Sequence, residues 1–300
     1  MKVPRLNIDG VLLLDKPAGL SSNTALQRAK RLYNAAKAGH TGTLDPFATG
    51  VLVVCLGQAT KFSSYALHAD KAYRAVLKLG VTTTTGDTEG EITDTRPVVV
   101  SRQAVDAILP RFRGIIRQTP PMHSALKYQG KPLYEYARAG IVIERKPREI
   151  TIFRLHAESL EKDLLTIDVH CSGGTYIRTL AEDMGAALGC GAHLIALQRR
   201  ASGAFGIEQT ASLETVESLS YDARMQRLLT PDALVAHLPR LDIDAHAAQQ
   251  LMHGKHVLGS ADLPAGMVRV YAPGGFLGLA NSADRTLIPS RLMAGASSRI

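Results

Sequence analysis

From residue 71 to 79, apolar positions recur every second residue. Tyr73, Ala75, Leu77 and Leu79 fall on one side, and Ala72, Arg74, Val76 and Lys78 on the other. That period predicts a strand with one face on a core. Residues 150–155 and 164–170 carry the same alternation. Two continuous apolar runs, 10–14 and 51–56, are short and read as buried strands. Helical spacing predicts a helix over 24–37, with Leu26, Ala29, Leu32, Tyr33 and Ala36 on its apolar face. Ser21, Ser22 or Asn23 can cap its start, and Gly39 stands where it should stop. Further helices are predicted over 59–67, 101–112 and 131–139, and from Thr175 with Ile177, Leu180 and Met184 inward. Residues 203–238 read as a strand and two helices. After Pro239 the pattern changes to short strands separated by Gly and Pro turns.

Composition narrows what such a chain does. Its 300 residues suffice for one large domain, or a large domain and a small one. The net charge of +8 favours a polyanionic partner. Residues 111–148 hold nine Lys or Arg against two acids, which is most of that excess. Tyr128, Tyr134 and Tyr136 lie among these cations. Aromatics that stack on bases and cations that meet phosphates suit an RNA surface; a solvated charged face is the plainer reading. The absence of Trp excludes a tryptophan cage. Three separated cysteines suggest reduced, buried thiols in a cytoplasmic protein. The ten histidines show no metal-binding spacing. No secretory signal or membrane-length run is evident.

The densest candidate chemistry lies in residues 38–60, in the polar loop between the predicted helix and the strand over 51–56. His40, Thr41, Thr43 and Asp45 are set among glycines 39, 42 and 50. Pro46 pushes the Asp45 backbone toward an extended conformation. Asp45 is then either a carboxylate held in a firm loop or a helix N-cap before a first-turn proline. Lys16 is a turn residue or a neighbour that orients this loop. Tyr73 is a core ring or a ring with its hydroxyl in a site. Residues 82–91 read as a solvated polar loop, and Asp87 in it is not assigned a role. Arg178 falls in a helix's first turn, where a cation opposes the helix dipole unless it meets an anion such as Asp45.

The string G-H-T-G-T-L-D-P-F-A-T-G-V-L, residues 39–52, resembles the catalytic motif of bacterial tRNA pseudouridine-55 synthases. Further stretches resemble the same family: K-A-Y-R at 71–74, the run from Gln118 to Gly140, G-T-Y-I-R at 174–178 and G-A-H-L-I-A-L-Q-R-R at 191–200. The resemblance implies an α+β pseudouridine synthase fold, a mixed and mainly antiparallel sheet flanked by helices. It places a catalytic domain over 1–239, an RNA-binding insertion at about 111–148, and a small PUA-like β domain over 240–300. The implied reaction converts uridine to pseudouridine at position 55 in the T-loop of tRNA, on a flipped-out nucleotide. No cofactor, metal or protein partner is implied.

The resemblance also assigns roles. Asp45 is the nucleophile and Arg178 pairs with it. Tyr73 lies against the uracil as general acid or base. Tyr176 lines the uridine pocket, Leu197 touches the base, His40 takes up the vacated space, and Lys16 stands beside the site. Arg113, Lys127, Tyr128 and Lys131 would contact the T-arm. Two other classes are weighed against this. A catalytically silent tRNA-binding or folding protein would not need Asp45, Tyr73 and Arg178 intact. A glycosidic hydrolase would need a second placed carboxylate.

Overall fold

The computed structural model describes residues 4–259 and 263–293. Its main sheet contains strands β1 (Gly10–Lys16), β2 (Ala38–His40), β3 (Thr49–Leu56), β4 (Lys71–Leu79), β5 (Gly114–Gln118), β6 (Arg148–Glu161), β7 (Leu164–Cys171), β8 (Ala192–Ser202) and β9 (Ala211–Ser212). They run in the order β9-β1-β3-β8-β4-β7-β6-β5, with β2 added beside β3. Only β1 with β9 and β3 with β8 pair parallel, so the sheet is mixed and mainly antiparallel.

Burial explains the two kinds of strand signal. On β4, Ala75, Leu77 and Leu79 are buried against Ile177, Leu180 and Met184 of helix Ile177–Ala187. Its other side stays partly open, hence the alternation. On β1 and β3 both sides are covered, hence the continuous apolar runs. Leu12, Leu14, Leu52 and Val54 pack on Leu26, Ala29 and Tyr33 of the helical segment beginning at Ser22. Val11, Leu13, Val51 and Val53 face the opposite way, toward Phe62.

That first helix, α1 (Ser22–Leu32), ends earlier than its apolar spacing predicts. Ser21 caps its start by accepting from the Thr24 amide. At its end Asn34 turns left-handed, with φ 50°. The Ala35 amide then reaches back to the Lys30 carbonyl at 3.0 Å, closing the helix as glycine usually does. Residues 38–40 are therefore free to pair with β3, and Gly39 lies in a strand rather than at a helix stop.

The basic stretch also divides. Gly114–Gln118 belongs to the main sheet, paired with β6. Beyond it, a hairpin joins Lys127–Tyr128 to Lys131–Pro132 through Gln129 and Gly130, at φ 49° and 83°. Positive φ at both central residues is what a tight hairpin requires. A short helix, α2 (Leu133–Arg138), follows, and the second site helix is α3 (Ile177–Ala187).

A second, five-stranded sheet occupies the end of the chain, beginning at Arg240–Asp242. It carries a helix that the sequence reading did not predict, α4 (Ala245–Met252), capped by Asp244. Its inward residues, Ala248 and Leu251, make too narrow a stripe to stand out. Residues 260–262 and 294–300 of the predicted C-terminal unit lie outside the described residues.

This second sheet shares a core with the first. Phe276 packs on Phe62 with ring centroids 5.3 Å apart, and Leu279 and Met293 join the cluster of Val51 and Val53. The Tyr271 hydroxyl donates to Asp232 at 2.5 Å and Arg269 Nε to the Leu238 carbonyl at 2.9 Å. A chain ending at Pro239 would expose Phe62. Its thermal midpoint is expected to fall by roughly 6–12 °C. An unchanged midpoint would show that the shared packing contributes nothing.

Candidate active site

The loop between β2 and β3 is pinned from three directions. From α1, Ser22 Oγ donates to the Leu44 carbonyl at 2.9 Å and accepts from the Leu44 amide at 2.7 Å. From β8, Arg199 donates to the carbonyls of Gly42 at 3.1 Å, Thr43 at 3.4 Å and Val51 at 2.7 Å. From β1, Lys16 Nζ donates to the Pro46 carbonyl at 3.2 Å and to those of Pro17 and Leu20 at 2.8 and 2.7 Å. Gly50 allows the closest approach: a Cβ there would lie 2.3 Å from the Arg199 carbonyl oxygen. Asp45 thus sits on a firm support. It is not a helix cap, since β3 follows the loop.

Lys16 is not a solvated turn residue. It ends β1, fully buried, and burial lowers its pKa to about 8, while Asp45 pulls the other way. It reaches backbone carbonyls and does not line the cavity. His40, half-buried at the end of β2, also lies outside the cavity wall, its Nδ1 accepting from the Gly42 amide at 3.4 Å.

Above the loop, α3 brings in Arg178. The guanidinium grips Asp45 with two contacts, Nε to Oδ2 at 2.9 Å and Nη2 to Oδ1 at 3.3 Å. Arg178 is the helix's second residue, a poor place for a cation, and the carboxylate supplies the compensating anion. Two further donors hold the Thr85 carbonyl at 2.9 Å and the His123 carbonyl at 2.6 Å. One arginine therefore ties together the Asp45 loop, residues near 85 and the insertion at His123.

Asp87 is the main correction to the sequence reading. It is buried, not solvated, and its Oδ2 lies 3.5 Å from Arg178 Nε. Thr85 Oγ1 and the Glu89 amide donate to its other oxygen, at 2.5 and 3.0 Å. Two carboxylates thus share one guanidinium. Burial raises the pKa of Asp45, Arg178 lowers it and Asp87 raises it, and the net direction is upward.

A cavity of about 380 Å³ opens over Asp45, room for one nucleoside. Tyr73, Tyr176, Leu197 and Arg199 line it with Ser124 and Leu126 from the insertion. Gln118 holds Tyr176 by both backbone groups, at 2.8 and 2.9 Å. Burial pushes the phenols of Tyr73 and Tyr176 above their ordinary values.

The insertion's cations are arranged unequally. Lys127, Tyr128 and Lys131 are exposed on the hairpin, and Tyr128 meets Tyr136 edge-on at 5.9 Å. Arg113 is exposed too, but its guanidinium is tied to β6, donating to the Leu155 carbonyl at 2.8 Å. The sequence reading missed Ser22, Gln118 and Arg199. For Arg199 a signal existed: it lies in the stretch G-A-H-L-I-A-L-Q-R-R, two residues after Leu197, and the strand β8 found there puts both on one face. Among the described residues, no group of three or more His, Cys, Asp or Glu could hold a metal ion, and no helix is long and apolar enough to cross a membrane.

The resemblance to pseudouridine synthases implies a carboxylate paired with arginine in a uridine pocket, and the Asp45–Arg178 pair beside this cavity fits that expectation. A family model described as TruB family pseudouridylate synthase (N terminal domain) matches residues 30–177. The tRNA pseudouridylate synthase B C-terminal domain matches 178–241, and Pseudouridine synthase II TruB, C-terminal, matches 239–293. The tRNA pseudouridine synthase B of Thiobacillus denitrificans is 56% identical over 295 residues, covering 98% of this chain and 99% of that protein. That of Stutzerimonas stutzeri is 50% identical, covering 98% of each. A solved Cbf5-Nop10-Gar1 complex aligns with TM-score 0.71 at 27% identity, over 95% of this chain and 84% of that one. The chain belongs to the TruB family of pseudouridylate synthases.

Proposed function

We propose that the chain converts uridine to pseudouridine at position 55 in the T-loop of tRNA, in the cytoplasm, with Asp45 as nucleophile. The observation that carries this reading is the two-point Asp45–Arg178 pair under the cavity. The relatives named tRNA pseudouridine synthase B support the substrate. Isomerisation breaks the N1–C1′ bond and forms C5–C1′. One proton leaves C5 and one arrives at N1, so the atoms balance without a co-reactant.

The residues divide the work. The target base leaves its stack and enters the cavity. His40, beside the loop, takes up the space left in the RNA. Tyr176 and Leu197 flank the base, and the Tyr73 hydroxyl exchanges the proton. Lys16, Ser22 and Arg199 keep the nucleophile's loop in place. Residues 1–239 are assigned to the catalytic domain and residues 240–300 to a smaller one, whose described part packs on the first through Phe276, Leu279 and Met293.

The test is incubation with unmodified tRNA carrying tritium at C5 of uridine. Release of one tritium per tRNA, with the base retained at C5, is the expected result. A transcript with cytidine at position 55 should release none. Loss of uracil would indicate a hydrolase, and no release a silent binder.

The exposed hairpin cations support the RNA-binding assignment of Lys127 and Lys131, with Tyr128 stacking beside them. Arg113, held by Leu155, is expected to contribute less. Replacing both lysines by alanine should weaken tRNA binding and lower the slope of log affinity against log salt by about 1.5–2. The turnover rate at saturation should not change. Filter binding across a salt series decides; an unchanged slope would make the hairpin a solvated face only.

A further inference from the structure

Arg199 is an unusual buried cation. It is 2% exposed, yet among the described residues no carboxylate pairs with it. Its guanidinium is held by the carbonyls of Gly42, Thr43 and Val51. Carbonyls orient a charge without neutralising it, so most of its field remains in the site. That field works against protonation of Lys16, His40 and Lys71. On the neighbouring strand the residue directly opposite Arg199 is Tyr73, and both side chains line the cavity.

We propose that Arg199 is a positioning residue for the reaction: it fixes the nucleophile's loop and, across the β4–β8 pair, holds the Tyr73 hydroxyl and stabilises its phenolate. This rests on the isomerase reading above. In that reaction the Tyr73 phenolate takes the proton lost from C5, and the resulting phenol returns a proton to N1, with no net change.

The surroundings of Tyr73 make Arg199 the residue that matters. Burial raises the phenol's pKa, and Cys171 from β7 and Asp45 from the loop add to the rise. Arg199, directly opposite Tyr73 across the strand pair and lining the same cavity, is the group whose charge opposes them. Arg178 and Lys71 line the same cavity, but Arg178 is committed to Asp45 and Asp87, and Lys71 Nζ to the Leu67 and Ala69 carbonyls at 2.6 and 2.5 Å.

The experiment compares the parent, Arg199→Lys and Arg199→Gln. Two readouts are followed. One is the pH profile of single-turnover tritium release. The other is the titration of Tyr73 by carbon NMR of labelled tyrosine, its signal assigned by loss in Tyr73→Phe. In Arg199→Gln the Tyr73 titration should move up by about one pH unit or more, and the rate near neutrality should fall about 30-fold or more. In Arg199→Lys, which keeps the charge, the titration should stay in place and the rate should stay within about tenfold. A merely structural arginine would lower stability but leave the Tyr73 titration where it was, and that result overturns the proposal. Equal rate losses in both variants overturn it too. Should Arg199→Gln fail to fold, Arg199→Lys decides: a rate lost with an unmoved titration is the overturning result. Absence of tritium release by the parent would instead overturn the isomerase reading.

Discussion

Replacing Asp45 by asparagine is expected to leave a folded protein that binds tRNA within about tenfold of the parent and forms no detectable pseudouridine. Asparagine keeps the shape but lacks the charge and the nucleophilic oxygen. A loss of about 10,000-fold or more in rate is what removing a nucleophile costs. The fold should stand for identifiable reasons. The loop's anchors from Ser22, Arg199 and Lys16 reach backbone atoms, not the Asp45 side chain. Arg178 keeps Asp87 and the carbonyls of Thr85 and His123.

Linkage points the same way. The pKa of Asp45 is raised in the fold, so its stabilising contribution is present below its unfolded value and is lost as pH rises through the folded value. At neutral pH the charge is a cost, and the asparagine variant should melt no lower than the parent. Tritium release and filter binding on the same preparation check both halves. Residual turnover within about a hundredfold of the parent would move the nucleophile's role to another carboxylate. Parent activity should itself fall as acid protonates Asp45, starting at a higher pH than an ordinary aspartate would set.

Arg178→Met carries the second large effect, on stability and rate together. It leaves Asp45 and Asp87 close together without their shared cation and strands the acceptors at Thr85 and His123. Removing one partner from a buried ionic cluster costs about 3–5 kcal/mol. Asp45 would then hold its proton to higher pH, since the guanidinium that lowers its pKa is gone while the neighbouring Asp87 charge still raises it. Remaining activity should therefore rise with pH beyond the point where the parent levels off, and at neutral pH lie about 1,000-fold lower. Arg178→Lys keeps a charge but not the two-point grip, and should fall between the two. Urea unfolding with single-turnover rates across pH provides the check. A methionine variant within about 1 kcal/mol of the parent's stability would show that Arg178 is not the link between loop, insertion and helix.

How much of this was legible differs from residue to residue. Strand β4 was read with its observed ends because one face is buried and the other partly open, and that contrast is written in the side chains. Strand β3 was read from its unbroken apolar run because both its faces are covered. The end of α1 was misplaced because Ala35, Ala36 and Lys37 continue a helical composition. The break at Asn34 depends on a left-handed turn that asparagine tolerates but does not announce. Asp87 was misread because threonine, glycine and acid residues look alike in a solvated loop and in one folded against a helix.

The order of elements and the chemical groups at the site were determined by the sequence itself, because periodicity and turn residues report local geometry. The motif around Asp45 likewise marked the loop that carries this carboxylate into the cavity wall. Tertiary structure alone decided which groups meet. Arg178 lies 133 residues from Asp45 and 55 from His123 along the chain, yet holds both. Burial and charge coupling act through distances in space. Only packing could bury Asp87 beside that guanidinium, make Lys16 an anchor rather than a surface turn, and set an unneutralised arginine opposite Tyr73.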